Sequence, residues 1–274
     1  MTFSIVARQG DAYGVAVASK FLAVGAVVPA ARLGVGAVAT QSLARVAYLE
    51  ELLGRLAGGE APAVALDAAV ALDEGRDDRQ VGVVGATGAA TFTGPGCNPW
   101  AGGVTGEAGD TAYAIQGNIL TGPEVVEAME RAWLGSEGQP VARRLLAALT
   151  AGDEAGGDSR GRQSAAMYAV EPGSGYDHSG VLVDLRVDDH ADPVREIARL
   201  LDEWELLFGK PEDVQALEGE LRAEVRERLA RLGFTGADVR ETLEAWVGVV
   251  NYESRLTPDG IDGRVLEALR RATP

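Results

Sequence analysis

Thr2 follows the initiator methionine directly in this 274-residue sequence. Methionine aminopeptidases trim Met ahead of small residues, threonine among them. Trimming puts a hydroxyl and a free α-amine on one residue. An α-amine titrates at about 7.7–8.0, so near neutrality it can take the proton of its own hydroxyl, the N-terminal-threonine form of nucleophilic catalysis. A second polar pair, Ser19-Lys20, ends an otherwise apolar run. With Gly10-Asp11 as a two-residue turn, Gln9 faces Ala12 and the register brings Thr2 opposite Ser19; one more loop residue brings Lys20 there instead. A lysine ammonium beside Thr2 favours the neutral amine and stabilises a developing oxyanion. The plain alternative is that Thr2 only begins a strand and Lys20 ends one in solvent.

Other residues compete for a chemical role. Cys97, the single cysteine, lies in Gly94-Pro95-Gly96-Cys97-Asn98-Pro99-Trp100 and is the next nucleophile candidate, although nothing in the sequence lowers its pKa. Gln116-Gly117-Asn118 closes a strand, where an amide lines a pocket or donates to an oxyanion. Arg160, Arg162 and Gln163 suit a carboxylate, because the guanidinium fork matches its shape. Asp188-Asp189-His190 with Asp192 has metal-ligand atoms close together, but acidic residues are also favoured at a helix N-terminus, and capping is the first reading. No G-x-S-x-G elbow accompanies the two histidines, His178 and His190.

The elements that must position these residues follow from the patterning. Residues 3–7 and 13–18 flank Gln9-Gly10-Asp11 as a β-hairpin. Residues 35–40, 80–84, 89–93, 111–117, 163–170 and 180–187 read as further strands. Helices are expected at 48–56, at 62–73, from Pro123 to Leu134, from Val141 to Ala151, and from Asp192-Pro193 to Phe208. Gly94 to Asp110 reads as a Gly-rich loop. Strand blocks alternate with helix pairs, unlike a doubly wound βαβ chain. The expectation is an α+β fold, a four-layer αββα sandwich of two mostly antiparallel sheets. Lys210-Pro211 marks a boundary, giving domains 1–210 and 211–274. The second holds three amphipathic helices near 217–232, 238–250 and 262–271.

Composition narrows the classes. There are 25 Lys+Arg against 41 Asp+Glu, a net charge of -16, which excludes nucleic acid and anionic lipid as main partners. One cysteine makes neither an internal disulfide nor a cysteine zinc cluster. The most apolar stretch, Phe21 to Ala31, is too short to span a bilayer that needs about 20 residues, and no basic region precedes an apolar run at the start. A soluble, cytoplasmic protein without cofactor or bound metal is the expectation.

Several motifs in order carry a resemblance. Thr2-Phe3-Ser4-Ile5-Val6-Ala7, Gly14 to Phe21, Gly34 to Gln41, Tyr113 to Leu120, Arg160 to Ala166 and Val183 to His190 resemble the bacterial family called domain of unknown function 1028, over residues 2–208. That family is grouped with the N-terminal-nucleophile hydrolases, so the resemblance implies their αββα fold. The hairpin also resembles a proteasome β-subunit start, which makes Thr2 the nucleophile. It departs from that pattern at two places: Ser19 stands where an acidic residue is expected, and Arg32 where the catalytic lysine is. Trp246-Val247-Gly248, Asn251-Tyr252-Glu253 and Gly260-Ile261-Asp262 are similar to a peptidoglycan-binding-like domain. The expectation is therefore hydrolysis of a C–N bond in a small amide or peptide. Thr2, Ser19, Lys20, Arg32 and Asn118 form the catalytic set; Gln41, Cys97, Gln116, Arg162 and Gln163 form the substrate-binding set. The competing expectation is a non-catalytic binding or assembly protein that recognises a small metabolite or peptidoglycan fragment. A homo-oligomer is expected in either case.

Overall fold

The computed structural model describes residues 2–274. Met1, on which the trimming expectation depends, lies outside the described residues. The chain divides into two compact units, Met1–Arg199 and Leu200–Pro274.

Unit 1 begins with β1 (Thr2–Gln9), β2 (Ala12–Ser19), β3 (Pro29–Arg32) and β4 (Gly36–Ser42), followed by α1 (Ala47–Ala57) and α2 (Pro62–Ala71). Next come β5 (Arg79–Gly85), β6 (Gly88–Thr93), β7 (Gly102–Ala108) and β8 (Thr111–Asn118), then α3 (Glu124–Gly135) and α4 (Val141–Glu154). β9 (Ser164–Val170) and β10 (Val181–Val187) complete the sheets, and α5 (Pro193–Phe208) runs across the division into unit 2. One sheet has the order β10-β9-β2-β1-β8-β7 and the other β3-β4-β5-β6. Every pairing in them is antiparallel. The fold class is α+β with antiparallel sheets.

Period-two alternation explains how β1 serves two layers. Phe3 faces α4, where the Gly152 backbone leaves it room. Val6, on the other face, joins Val15, Val17, Val24, Ala37 and Val84, a cluster drawn from both sheets. Tyr48, Leu52, Leu53 and Leu56 of α1 are buried at the helical spacing read from the sequence and pack with Val81 and Val83 of β5. Helices α3 and α4 contact the six-stranded sheet, α1 and α2 the four-stranded one, and the sheets contact each other through β1·β4 and β5·β8.

Two strands of unit 1 escape the sequence pattern. β7 lies inside the segment read as a Gly-rich loop. Three of its seven residues are glycines, which disfavour a strand on their own; its pairing with β8 along the whole length supplies the order. β3 starts at Pro29, a residue confined to edges and strand starts, and β3 is the edge of its sheet.

Unit 2 contains α6 (Gly219–Arg231), α7 (Val239–Val250), α8 (Gly263–Ala272) and a two-residue pairing of β11 (Gln215–Ala216) with β12 (Gly260–Ile261). Its core joins Leu206 of α5 to Val225, Leu229, Leu243, Trp246 and Leu266. Among the described residues, no helix is long and apolar enough to cross a membrane.

Candidate active site

β1 runs through the middle of the six-stranded sheet, so the start of that strand is flanked on both sides. The turn at Gly10-Asp11 sets the two-residue register: Gln9 pairs with Ala12 and Phe3 with Ala18. That brings the Thr2 and Ser19 hydroxyls to 3.1 Å of each other, both almost fully buried. Gly10 has φ +58, the left-handed region such a turn requires. On the other flank Thr2 pairs with Asn118 of β8.

Beneath Thr2 the interface between the sheets is polar. Gln41 Nε2 donates to the Thr2 carbonyl (3.2 Å) and to Gln80 Oε1 (2.8 Å), while Gln41 Oε1 accepts from Ser4 Oγ (2.7 Å). Ser4 Oγ accepts in turn from Gln116 Nε2 (2.6 Å). Asn118 Nδ2 donates to Gln80 Oε1 (2.9 Å), and Gln80 Nε2 donates to the Gly117 carbonyl (2.7 Å). These side chains come from β1, β4, β5 and β8, and each is almost completely buried. Reciprocal pairing is what makes their burial tolerable, since an unpaired buried amide costs about 1–3 kcal/mol. Gly82 makes room: a Cβ there would meet the Gln116 amide.

The chain just beyond Ser19 and Asn118 is held by Asp158. Its Oδ2 accepts from the Lys20 backbone N–H at 2.7 Å and its Oδ1 from the Arg160 N–H at 2.9 Å. Leu120 forms an isolated antiparallel bridge with Asp158. Ile119, between Asn118 and Leu120, has φ 50, an uncommon value for a β-branched residue; its backbone is bonded to Asn98 and Ser159. A cavity of about 340 Å³ opens here, lined by Phe3, Ala18, Ser19, Asp153, Asp158 and Arg162 among others. Arg162 Nε bonds both oxygens of Asp153 (2.8 and 3.0 Å), which raises the guanidinium pKa.

Thr2, Ser19, Asn118, Gln41 and Gln116 thus meet in one place, with Arg162 on the adjoining cavity wall. Lys20 turns outward, and its Nζ donates to the Arg162 carbonyl at 3.2 Å. Gln163 contributes its carbonyl to the His190 N–H. Arg32 stands on β3, ion-paired with Glu50 at 2.6 Å with both side chains solvent-accessible. Cys97 lines a separate hollow with Thr91, Thr93 and Gly102, and its thiol donates to the Arg79 carbonyl at 3.3 Å. In the Asp188-Asp189-His190 segment, Asp188 pairs with Arg186 and His190 Nδ1 accepts from the Asp192 N–H just ahead of α5. Among the described residues no group of three or more His, Cys, Asp or Glu side chains is placed to hold a metal.

Ser4, Gln80 and Asp158 belong to this region and were missed by sequence reasoning. Ser4 and Gln80 carried one faint signal, a polar residue within an apolar strand run. Asp158 carried none, because it sits in a Gly-rich loop far from the residues it holds.

The comparisons agree with this architecture. Residues 2–197 match the model described as "Family of unknown function (DUF1028)", and residues 206–269 match one described as "Putative peptidoglycan binding domain". A crystal structure of protein SPO2555 from Silicibacter pomeroyi, also matched to that first family, is 31% identical over 74% of this chain and 86% of its own, with a TM-score of 0.65. The chain belongs to the DUF1028 family. No curated protein matches it.

Proposed function

We propose that this protein is an N-terminal-nucleophile-type hydrolase that cleaves a C–N bond in an amide or peptide, with Thr2 as nucleophile once Met1 is removed. The observation that carries the reading is the buried Thr2–Ser19 hydroxyl pair at the head of the central strand, next to a cavity. The stacking supports it: helix pair, sheet, sheet, helix pair is the αββα order expected of that class. In the reaction, Thr2 Oγ1 attacks the substrate carbonyl carbon and its proton passes to the Thr2 amine. The tetrahedral oxyanion collapses, the C–N bond breaks, and the leaving amine takes that proton. Water then hydrolyses the threonyl ester. Ser19 orients the hydroxyl. Asn118, paired with Thr2 across the strands, is the amide donor this reading assigns to the oxyanion, although its Nδ2 is engaged with Gln80. Lys20 would have to swing inward to take part, and Arg32 has no part in this reading.

The match of residues 206–269 supports a cell-wall peptide as the substrate class, with unit 2 as the tethering module. Intact mass of the purified protein tests the nucleophile. The expected result is a chain beginning at Thr2 whose turnover of muropeptide amides falls at least 10³-fold in Thr2→Ala with an unchanged melting temperature. Active protein that keeps Met1 would overturn the catalytic reading. Binding of muropeptide by protein that retains Met1 and never turns over would instead favour the non-catalytic alternative.

A further inference from the structure

We infer that Asp158 is the positioning residue for the Thr2 α-amine, a carboxylate held across the head of β1 where trimming of Met1 would free that amine. The inference rests on the Thr2 reading above and adds a group that sequence motifs did not single out. The argument is one of register. β1 is antiparallel to both its neighbours, so Thr2 stands level with Ser19 on β2 and Asn118 on β8. The next residue on the β2 side, Lys20, donates its N–H to Asp158 Oδ2 at 2.7 Å. On the β8 side the chain bridges Asp158 two residues on, at Leu120. Asp158 therefore spans the space directly ahead of Thr2, within about one or two strand rises of ~3.4 Å each.

Ser19, which touches the Thr2 hydroxyl, and Asp158 line one 340 Å³ space together with Phe3 on the α4 face of the sheet, where Asp153, Glu154 and Arg162 are the other charged groups of the lining. The Asp158 side chain is 3% exposed, so its charge acts through little water. Arg160 also pairs with it, but that guanidinium lies at 47% exposure on the solvent side.

Two consequences follow for the chemistry. A buried carboxylate within about 4–6 Å stabilises an ammonium and moves its pKa up. It therefore favours the state in which the amine has just taken the hydroxyl proton, the state the transition state approaches. It also fixes the rotation of the Thr2 N–Cα bond, so that the amine lone pair faces Oγ1 rather than solvent.

The test measures the amine directly and needs no known substrate. Processed wild-type protein and Asp158→Asn are acetylated at the α-amine with acetic anhydride across pH 5–10, and the Thr2 peptide is quantified by mass spectrometry. The asparagine keeps an acceptor for the Lys20 N–H, and equal melting temperatures confirm the fold. The expected result is an amine midpoint about one unit lower in Asp158→Asn, while Arg160→Gln moves it in the opposite direction. On a cleaved amide, the acidic limb of the pH–rate profile would shift down by the same amount and kcat would fall. Equal midpoints in a processed, folded variant would overturn the role of Asp158 and leave Thr2 standing. If Asp158→Asn does not fold, the Arg160→Gln midpoint decides alone, and no upward movement overturns the assignment. A chain that retains Met1 would remove both readings together.

Discussion

Gln80 in unit 1 and Asp262 in unit 2 are both buried polar residues that tie distant segments together, one through a neutral amide and the other through a charge. Gln80 takes donors from Gln41 and Asn118 and gives its own to the Gly117 carbonyl. Asp262 caps α8 through the Val265 N–H, accepts from the Glu212 N–H, and pairs with the Arg255 guanidinium at 3.0 Å. Arg255 then reaches the carbonyls of Leu206 and Lys210. The amide set makes the interface beneath Thr2 polar without a formal charge among its own members. The ion pair fastens a chain entry and a helix start in a unit whose core is small. Neutral reciprocity spreads the pairing over several strands, whereas the charged clasp gathers it on Arg255 and Asp262.

That contrast sets an order of effects. The largest stability loss is expected for Asp262→Ala, which leaves the buried Arg255 with only the more exposed Glu212 carboxylate at 3.4 Å and uncaps α8, at a cost of about 3–5 kcal/mol. Amide hydrogen exchange should show lost protection in α8 and β12 while β1 and β8 keep theirs. Equal loss in β1 would break the separation between the units. Gln80→Ala should cost less, about 1–3 kcal/mol, because the Asn118 amide that loses its acceptor is neutral and Gln41 Nε2 keeps the Thr2 carbonyl. A urea midpoint that drops further in Gln80→Ala than in Asp262→Ala would reverse the comparison.

The smallest effect is an acid one, and it divides by unit. The Arg79 hydrogen bond holds the Asp73 carboxyl of unit 1 down to about 2, against an ordinary 3.8. The Arg270 hydrogen bond does the same for Glu224 of unit 2, from 4.5 to about 2. Both native values are depressed, so each contribution is complete above the unfolded value and is lost as pH falls through the folded one. Loss should therefore begin at the higher pH in unit 2. Asp73→Asn should flatten the acid limb of stability in unit 1 only, measured as urea midpoints between pH 5 and 2. An unaltered limb in unit 1 would show that Asp73 is not its source.

Much of the frame was legible from residue types. Gly10-Asp11 narrowed the hairpin to two registers, with Ser19 or Lys20 opposite Thr2, because side-chain period and turn length leave few choices; the pairing of Gln9 with Ala12 selects the first. The α1 face came from Tyr48, Leu52, Leu53 and Leu56. β7 was not legible, since its glycines take their order from β8 rather than from their own propensity. Nor was the displacement of Arg32 to an exposed pair with Glu50, because where an edge strand points its side chains depends on the sheet it joins.

The sequence by itself narrowed the residue facing Thr2 to Ser19 or Lys20 and set a net charge of -16. Local spacing is sufficient for such statements because the interacting residues lie on one hairpin. Only the tertiary structure decided that Gln41, Gln80, Gln116 and Asn118 form one buried amide set and that Asp158 crosses the head of β1. Those contacts join residues some forty to one hundred and forty positions apart, and no local propensity encodes which strands a closed pair of sheets brings face to face.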